Sequence, residues 1–220
     1  MKHEDVRAKI LEVGLIPAIR VSTPEDAWFA AEAVSQGGIP IVELTMTVPK
    51  ATELIAHLVQ KHPHLVVGAG TVLDVRTARA CLDAGANFLT SPGLDVETVE
   101  FAVQENVLAI PGVLTPSEVM AAVKAGAEFV KLFPCSQLGG VGYLRALRPP
   151  FPHISFIASG GVTQQNAGDY IYAGAAALGI GGDLIPPRAI RAREQAWIVE
   201  LARRFSHLVK TARNELALTV

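Results

Sequence analysis

Cysteine is nearly absent from this chain. Cys81 and Cys135 are the only two in 220 residues, and neither belongs to a Cys-x-x-Cys pair. A disulfide framework is therefore excluded, and the usage fits a reducing, cytoplasmic setting. No uninterrupted apolar run approaches the ~18 residues of a membrane span. The start Met1-Lys2-His3-Glu4-Asp5 leads into a mixed amphipathic stretch, so no secretory signal is visible. An excess of either charge is missing too. With 19 Lys and Arg against 21 Asp and Glu, dispersed rather than clustered, the chain carries no nucleic-acid footprint. His57, His62 and His64 are close in sequence, but Pro63 interrupts them and no His-x-x-x-His pair or nearby carboxylate set joins them. No metal site is expected there.

What the chain does have is apolar mass. Half of its residues are hydrophobic and 18% are charged, so it buries a substantial core and is not disordered. No linker composition interrupts it, and residues 1–220 read as one domain. Short apolar or β-branched runs recur at Leu15–Val21, Ile39–Thr45, Leu65–Gly68, Asn87–Thr90, Val107–Ile110, Glu128–Leu132, Ile154–Ala158 and Ala176–Ile180. Their starts fall roughly 20–26 residues apart, with helical spacings between them, as in Pro24–Ser35 and Pro116–Ala125. Gln36-Gly37-Gly38, Ala84-Gly85-Ala86, Ala125-Gly126-Ala127 and Ala173-Gly174-Ala175 read as helix ends leading into strands. Thr23-Pro24 and Thr115-Pro116 read as helix starts. Such alternation fits an α/β protein with either a closed barrel or an open doubly wound sheet, and eight near-equal units favour a single (β/α)8 TIM barrel. Val6–Gly14 then forms an extra N-terminal helix across its bottom, and the tail Arg188–Leu218 holds the last helix.

In such a barrel, chemistry sits at the C-terminal ends of the strands. The run Glu128-Phe129-Val130-Lys131-Leu132-Phe133-Pro134 places one lysine inside an apolar strand. Loss of hydration favours its neutral amine, a nucleophile that forms a Schiff base with a carbonyl carbon. The alternatives are a head group that snorkels to water or a pair with a buried carboxylate. Two other charges interrupt apolar strands. Glu43 lies between Val42 and Leu44, placed for proton transfer, and Arg20 ends the first strand with a planar fork suited to a substrate carboxylate. Three ionisable groups facing one barrel mouth favour function over a tolerated ion pair. Backbone amides in Ser159-Gly160-Gly161 and Gly181-Gly182, after the seventh and eighth strands, are placed to converge on an anion at the start of the following helix. Cys135 reads as a packing residue.

These segments resemble a known family. Val42-Glu43-Leu44-Thr45, Val67-Gly68-Ala69-Gly70-Thr71-Val72-Leu73, Ser91-Pro92-Gly93, Ile110-Pro111-Gly112-Val113, Phe129-Val130-Lys131-Leu132-Phe133-Pro134 and Gly160-Gly161-Val162 resemble, in order, the 2-dehydro-3-deoxy-phosphogluconate aldolases. These class I lyases are also described as 4-hydroxy-2-oxoglutarate aldolases. The resemblance implies a homotrimeric barrel of the Entner–Doudoroff pathway that needs no metal or organic cofactor and takes a small keto acid as substrate. It implies Lys131 as the Schiff-base lysine and Glu43 as the general acid and base. Thr71 would help to hold the pyruvate carboxylate, Pro92 and Phe133 would shape the pocket, and Ser159, Gly160 and Gly161 would bind a distal phosphate. Pyruvate and an aldehyde, glyceraldehyde 3-phosphate or glyoxylate, would be the products.

The chain departs from the family pattern at two places. Many members carry an arginine where this chain has Thr47, whereas a subset places it at the end of the first strand, as with Arg20. The carboxylate role therefore passes to Arg20, beside Thr71 and Thr47. After Gly181-Gly182 the family commonly has serine, and here Asp183 stands. A carboxylate at that point would repel a dianionic phosphate by several kcal/mol at short range. The alternatives are an aldolase for an unphosphorylated 2-keto-3-deoxy acid, a decarboxylase of oxaloacetate-like acids, and a non-catalytic trimeric scaffold.

Overall fold

A strand covered on both faces has no use for polar alternation, and the strands of this chain show little of it. In the computed structural model, which describes residues 1–218, β2 (Ile41–Thr45) and β3 (Val66–Gly70) are buried at every position. They belong with β1 (Leu15–Ile19), β4 (Phe88–Thr90), β5 (Leu108–Ile110), β6 (Gly112–Val113), β7 (Phe129–Leu132), β8 (Ser155–Ser159) and β9 (Ala177–Ile180). The nine form one parallel sheet in the order β5-β4-β3-β2-β1-β9-β8-β7-β6. Its two edge strands, β5 and β6, are separated in the chain by Pro111 alone, so the sheet curls into a nearly closed barrel of the TIM type.

The sequence leads one to expect eight strands, and the ninth has a local cause. Proline has no N–H to give a ladder, so the fifth strand stops before Pro111 and resumes after it. The Pro111 carbonyl still accepts from Lys131 N–H at 2.8 Å, which keeps β7 beside the interruption.

Helices fill the intervals: α1 (His3–Val13), α2 (Pro24–Gln36), α3 (Ala51–Lys61), α4 (Val75–Asp83), α5 (Val96–Gln104), α6 (Pro116–Lys124), α7 (Gly140–Leu147), α8 (Ala167–Tyr172), α9 (Pro187–Arg191) and α10 (Gln195–Leu218). Thr23 caps α2 by accepting from Asp26 N–H, and Thr115 with Glu118 closes a reciprocal capping box on α6. At the other ends Gly126 (φ 97°) and Gly174 (φ 95°) take the left-handed conformation that turns the chain into the next strand. The tail holds two helices rather than one, parted where Arg193 adopts φ 54°. Arg213 of α10 reaches back to donate to the Glu12 carbonyl at 2.8 Å and the Ala176 carbonyl at 2.7 Å. It thereby ties the end of α1 and the entry to β9 to the last helix. Among the described residues no helix is long and apolar enough to cross a membrane.

Inside the barrel, packing depends on glycine as much as on large residues. Phe88 is fully buried, and its ring occupies the space where a side chain at Gly68 would stand, 2.2 Å from a Cβ built there. Gly68→Ala is therefore expected to destabilise the fold by about 1–3 kcal/mol through overpacking. Urea unfolding tests this, and an unchanged midpoint would show that the Phe88 ring moves freely. Phe88→Leu in the same chain should recover part of the loss.

Candidate active site

Glu43 on β2 and Lys131 on β7 meet inside the upper barrel. Lys131 Nζ lies 3.8 Å from Glu43 Oε1, with the residues 9% and 3% exposed. The separation makes an ion pair but is too long for a direct hydrogen bond. The lysine head also sits 5.3 Å above the Phe133 ring. Two glycines shape the surroundings of this pair. A Cβ at Gly70 would lie 2.1 Å from Glu43 Oε1, so the carboxylate occupies space that glycine leaves open. Gly112 is in register with Lys131 and packs against the Pro92 backbone, where a Cβ would stand 2.3 Å from the Pro92 carbonyl. Ser91 secures that contact, its hydroxyl accepting from Gly112 N–H at 3.3 Å and donating to the Gly93 carbonyl at 2.6 Å.

A second cluster gathers at the ends of β1, β2 and β3. Arg20 donates from Nη2 to Thr71 Oγ1 at 3.2 Å, its guanidinium otherwise exposed. Thr71 adopts φ 59°, an uncommon state for a β-branched residue that the surrounding structure must impose. The bonds that impose it flank the residue: Met46 N–H to the Gly70 carbonyl at 2.8 Å, and Val72 N–H to the Thr90 carbonyl at 3.0 Å. Thr45 donates to the Ile19 carbonyl at 3.0 Å and shares a 2.7 Å hydrogen bond with the Thr47 hydroxyl, which anchors exposed Thr47 beside β1.

The glycine loops border the other side. Ser159 packs its Oγ over Gly179, 2.7 Å from a Cβ built there. Gly160 (φ 88°) and Gly161 (φ 82°) turn tightly against Phe133, Pro134 and Ser136. Among the described residues the amides of Gly160 and Gly161 donate to no other protein group, as an anion cradle requires. The helix after this turn, α8, begins only at Ala167, so the amides rather than a helix end form the polar surface. Past β9, the Gly181 carbonyl accepts from Leu184 and Ile185 N–H at 3.0 and 2.9 Å. A side chain at Gly182 would meet open space, and Gly181 borders the Ala18 carbonyl of β1. Asp183 is exposed there, yet the surrounding protein is enough to push its carboxyl above its ordinary value by desolvation.

The structure therefore joins Lys131, Glu43 and Phe133, joins Arg20 with Thr71, and seats Ser159, Gly160 and Gly161 against the segment that follows Lys131. Thr45, Ser91 and Gly70 were not singled out in the sequence as site supports. Only the Ser91-Pro92-Gly93 turn and the Gly-Ala-Gly run carried a signal for them. An open cleft of about 550 Å³ lies elsewhere, between Gln164, Gln165 and the α10 residues Arg203 and His207, away from this constellation. Among the described residues no group of three or more His, Cys, Asp or Glu side chains could hold a metal ion.

A sequence model of the KDPG and KHG aldolases matches residues 6–201. The chain belongs to this family. It is an aldolase, and so a carbon–carbon lyase. The 2-dehydro-3-deoxy-phosphogluconate aldolase of Pseudomonas aeruginosa is 37% identical over 179 residues, 81% of each chain. The KHG/KDPG aldolase of Escherichia coli is 36% identical over 196 residues, 88% of this chain and 92% of that one. Among solved structures, KDPG aldolase from Legionella pneumophila, with pyruvate captured at low pH as a covalent carbinolamine, superposes with a TM-score of 0.83. That match has 31% identity over 90% of this chain and 96% of the other.

The two thiols lie apart from the reacting groups. Burial pushes Cys81 up to about 11, and burial likewise raises Cys135. Both are fully buried, so each stays protonated and shielded at neutral pH. Ellman's reagent at pH 8 should find neither thiol in the native protein and both after unfolding. Rapid modification of one native thiol would contradict this.

Proposed function

We propose that Lys131 forms a Schiff base with the keto carbon of a 2-keto-3-deoxy-6-phospho sugar acid or 4-hydroxy-2-oxoglutarate, and that Glu43 moves the protons. The observation that carries this is the buried Glu43–Lys131 pair, 3.8 Å apart at the strand ends of an aldolase-family barrel. A buried ion pair gives little stability over apolar packing, so two charges placed there are best explained by chemistry.

In this reading the Lys131 amine, freed of its proton by Glu43, attacks the keto carbon and water leaves to give the iminium. Arg20, with Thr71 and Thr47, holds the substrate carboxylate. Glu43 removes the proton of the C4 hydroxyl, and the C3–C4 bonding pair flows into the iminium. The aldehyde departs, leaving the enamine of pyruvate. The enamine takes a proton at C3, and water hydrolyses the resulting iminium to pyruvate and free Lys131. Glyceraldehyde 3-phosphate or glyoxylate is the second product. Pro92 and Phe133 wall the pocket. The amides of Gly160 and Gly161, with Ser159 and Gly182, face the distal end. No metal or organic cofactor enters this sequence, because the iminium itself is the electron sink.

Counting β5 and β6 as one interrupted strand gives eight βα units, with α1 preceding them as a plug beneath one (β/α)8 domain. His3 and Arg7 of α1 pair with Glu128 at 3.1 and 2.7 Å, which supports that placement. A homotrimer belongs to the same reading, since exposed Val96, Val103, Met120 and Val123 offer α5 and α6 as an apolar face. A cytoplasmic setting fits the two unpaired thiols.

Borohydride with pyruvate should add the three-carbon unit to Lys131 and to no residue of Lys131→Ala. Glu43→Gln should still be trapped while its kcat falls about a hundred-fold or more. Trapping on another lysine would overturn the assignment.

Asp183 favours a second reading of the substrate. Its carboxylate lies in the loop facing the distal group, where it repels phosphate and can accept from a hydroxyl. An unphosphorylated 2-keto-3-deoxy acid suits it. Asp183→Ser is then expected to raise kcat/KM for the phosphorylated acid and lower it for the unphosphorylated one. If both values stay unchanged, Asp183 has no part in the choice.

A further inference from the structure

Tyr170 is 1% exposed, yet it brings a hydroxyl into the packing between α8 and the loop after β7. A phenylalanine would fill the same space without a polar group to satisfy, so the destination of this hydroxyl matters. It lies 3.3 Å from Cys135 Sγ, and that sulfur lies 3.2 Å from the Gly160 carbonyl oxygen. A thiol has one proton. When the S–H donates to the carbonyl, the tyrosine O–H donates to the sulfur, and a continuous chain runs from α8 to the turn after β8. Burial raises both groups, the tyrosine helped further by its bond to Cys135, so neither loses its proton at neutral pH.

The Gly160 carbonyl is held twice, since it also accepts from Ser136 N–H at 3.0 Å. Its neighbours are held as well: Ser159 by Cys135 N–H at 2.8 Å, and Gly161 by Asn166 Nδ2 at 3.0 Å. All three carbonyls of the turn are thus tethered to protein, while the Gly160 and Gly161 amides remain unpaired. Lys131 depends on none of these bonds, because its backbone is fixed by the ladder to Pro111 and Gly112.

We infer that Tyr170 and Cys135 are positioning residues, which aim the Gly160-Gly161 amides at the distal group of the substrate and leave Schiff-base formation alone. The inference rests on the reading of that turn as the distal binding element.

The test compares a six-carbon acid, phosphorylated or not, whichever the protein turns over, with 4-hydroxy-2-oxoglutarate and with borohydride trapping of pyruvate. Loss of one neutral hydrogen bond corresponds to a change of about two- to ten-fold. Tyr170→Phe should raise KM for the six-carbon acid about five-fold, with KM for the shorter substrate and the trapping rate within about two-fold. Cys135→Ala should give the same split, and Cys135→Ser, which keeps a donor, should restore the native ratio. Equal losses on both substrates, or no loss on either, overturn the positioning role. Absence of trapping in the unsubstituted protein overturns the aldolase site itself, a different result. If Tyr170→Phe does not fold, the Cys135 pair of variants carries the same comparison.

Discussion

Burying an ammonium and a carboxylate together in an apolar barrel constrains everything around them. Each ion loses its hydration, and their attraction repays that cost only if the two heads meet in a tight, well-defined place. Here that place is made by strand register. Glu43 and Lys131 are carried by β2 and β7 on opposite parts of the barrel wall; Gly68 stands in register with Glu43 and Gly112 with Lys131, and Gly70 lies two residues further along β3. Any side chain at Gly70 would occupy the carboxylate's own volume. Gly70 is therefore part of the charged pair, although it bears no chemistry, while Gly112 leaves room for the Pro92 backbone beside Lys131. The barrel's closure matters for the same reason, since Pro111 ends one ladder and its carbonyl begins the next at the backbone of Lys131.

Much of this was legible in the sequence. A charge flanked by Phe, Val and Leu is conspicuous in any strand, which is why Lys131 and Glu43 could be singled out without a structure. The Thr-Pro helix starts and the Ala-Gly-Ala helix ends were equally plain, because capping is local chemistry written within four residues. What escaped notice depends on partners distant in sequence. Thr71 shows its left-handed backbone only when the bonds from Met46 and Val72 close on either side of it. Thr45 earns its place by reaching Ile19, and Tyr170 by reaching a sulfur 35 positions away. The strand that resumes after Pro111 and the tail that breaks at Arg193 were missed for a simpler reason: two residues are too short a run to mark a strand, and the left-handed turn at Arg193 shows only in backbone geometry.

The site divides into two regions held by different means. The reacting pair is fixed by parallel ladders, whose hydrogen bonds are numerous and cooperative. The Gly160-Gly161 turn is fixed by the backbone N–H groups of Cys135 and Ser136, by Asn166 and by two glycines in left-handed conformations, a much smaller set of bonds. On the reading proposed above, a change in the second region would alter which acid is accepted without moving the lysine. Asp183 lies in this second region, at a loop where a side chain meets open space rather than packed core. Loops carried by a rigid scaffold are where substrate choice can vary at least cost to stability. The Asp183 carboxylate is exposed, so it adds charge at this loop without disturbing the core. On the same reading, the chemistry of bond cleavage is common to several keto acids, and the loops after β8 and β9 are where the choice among them would be made.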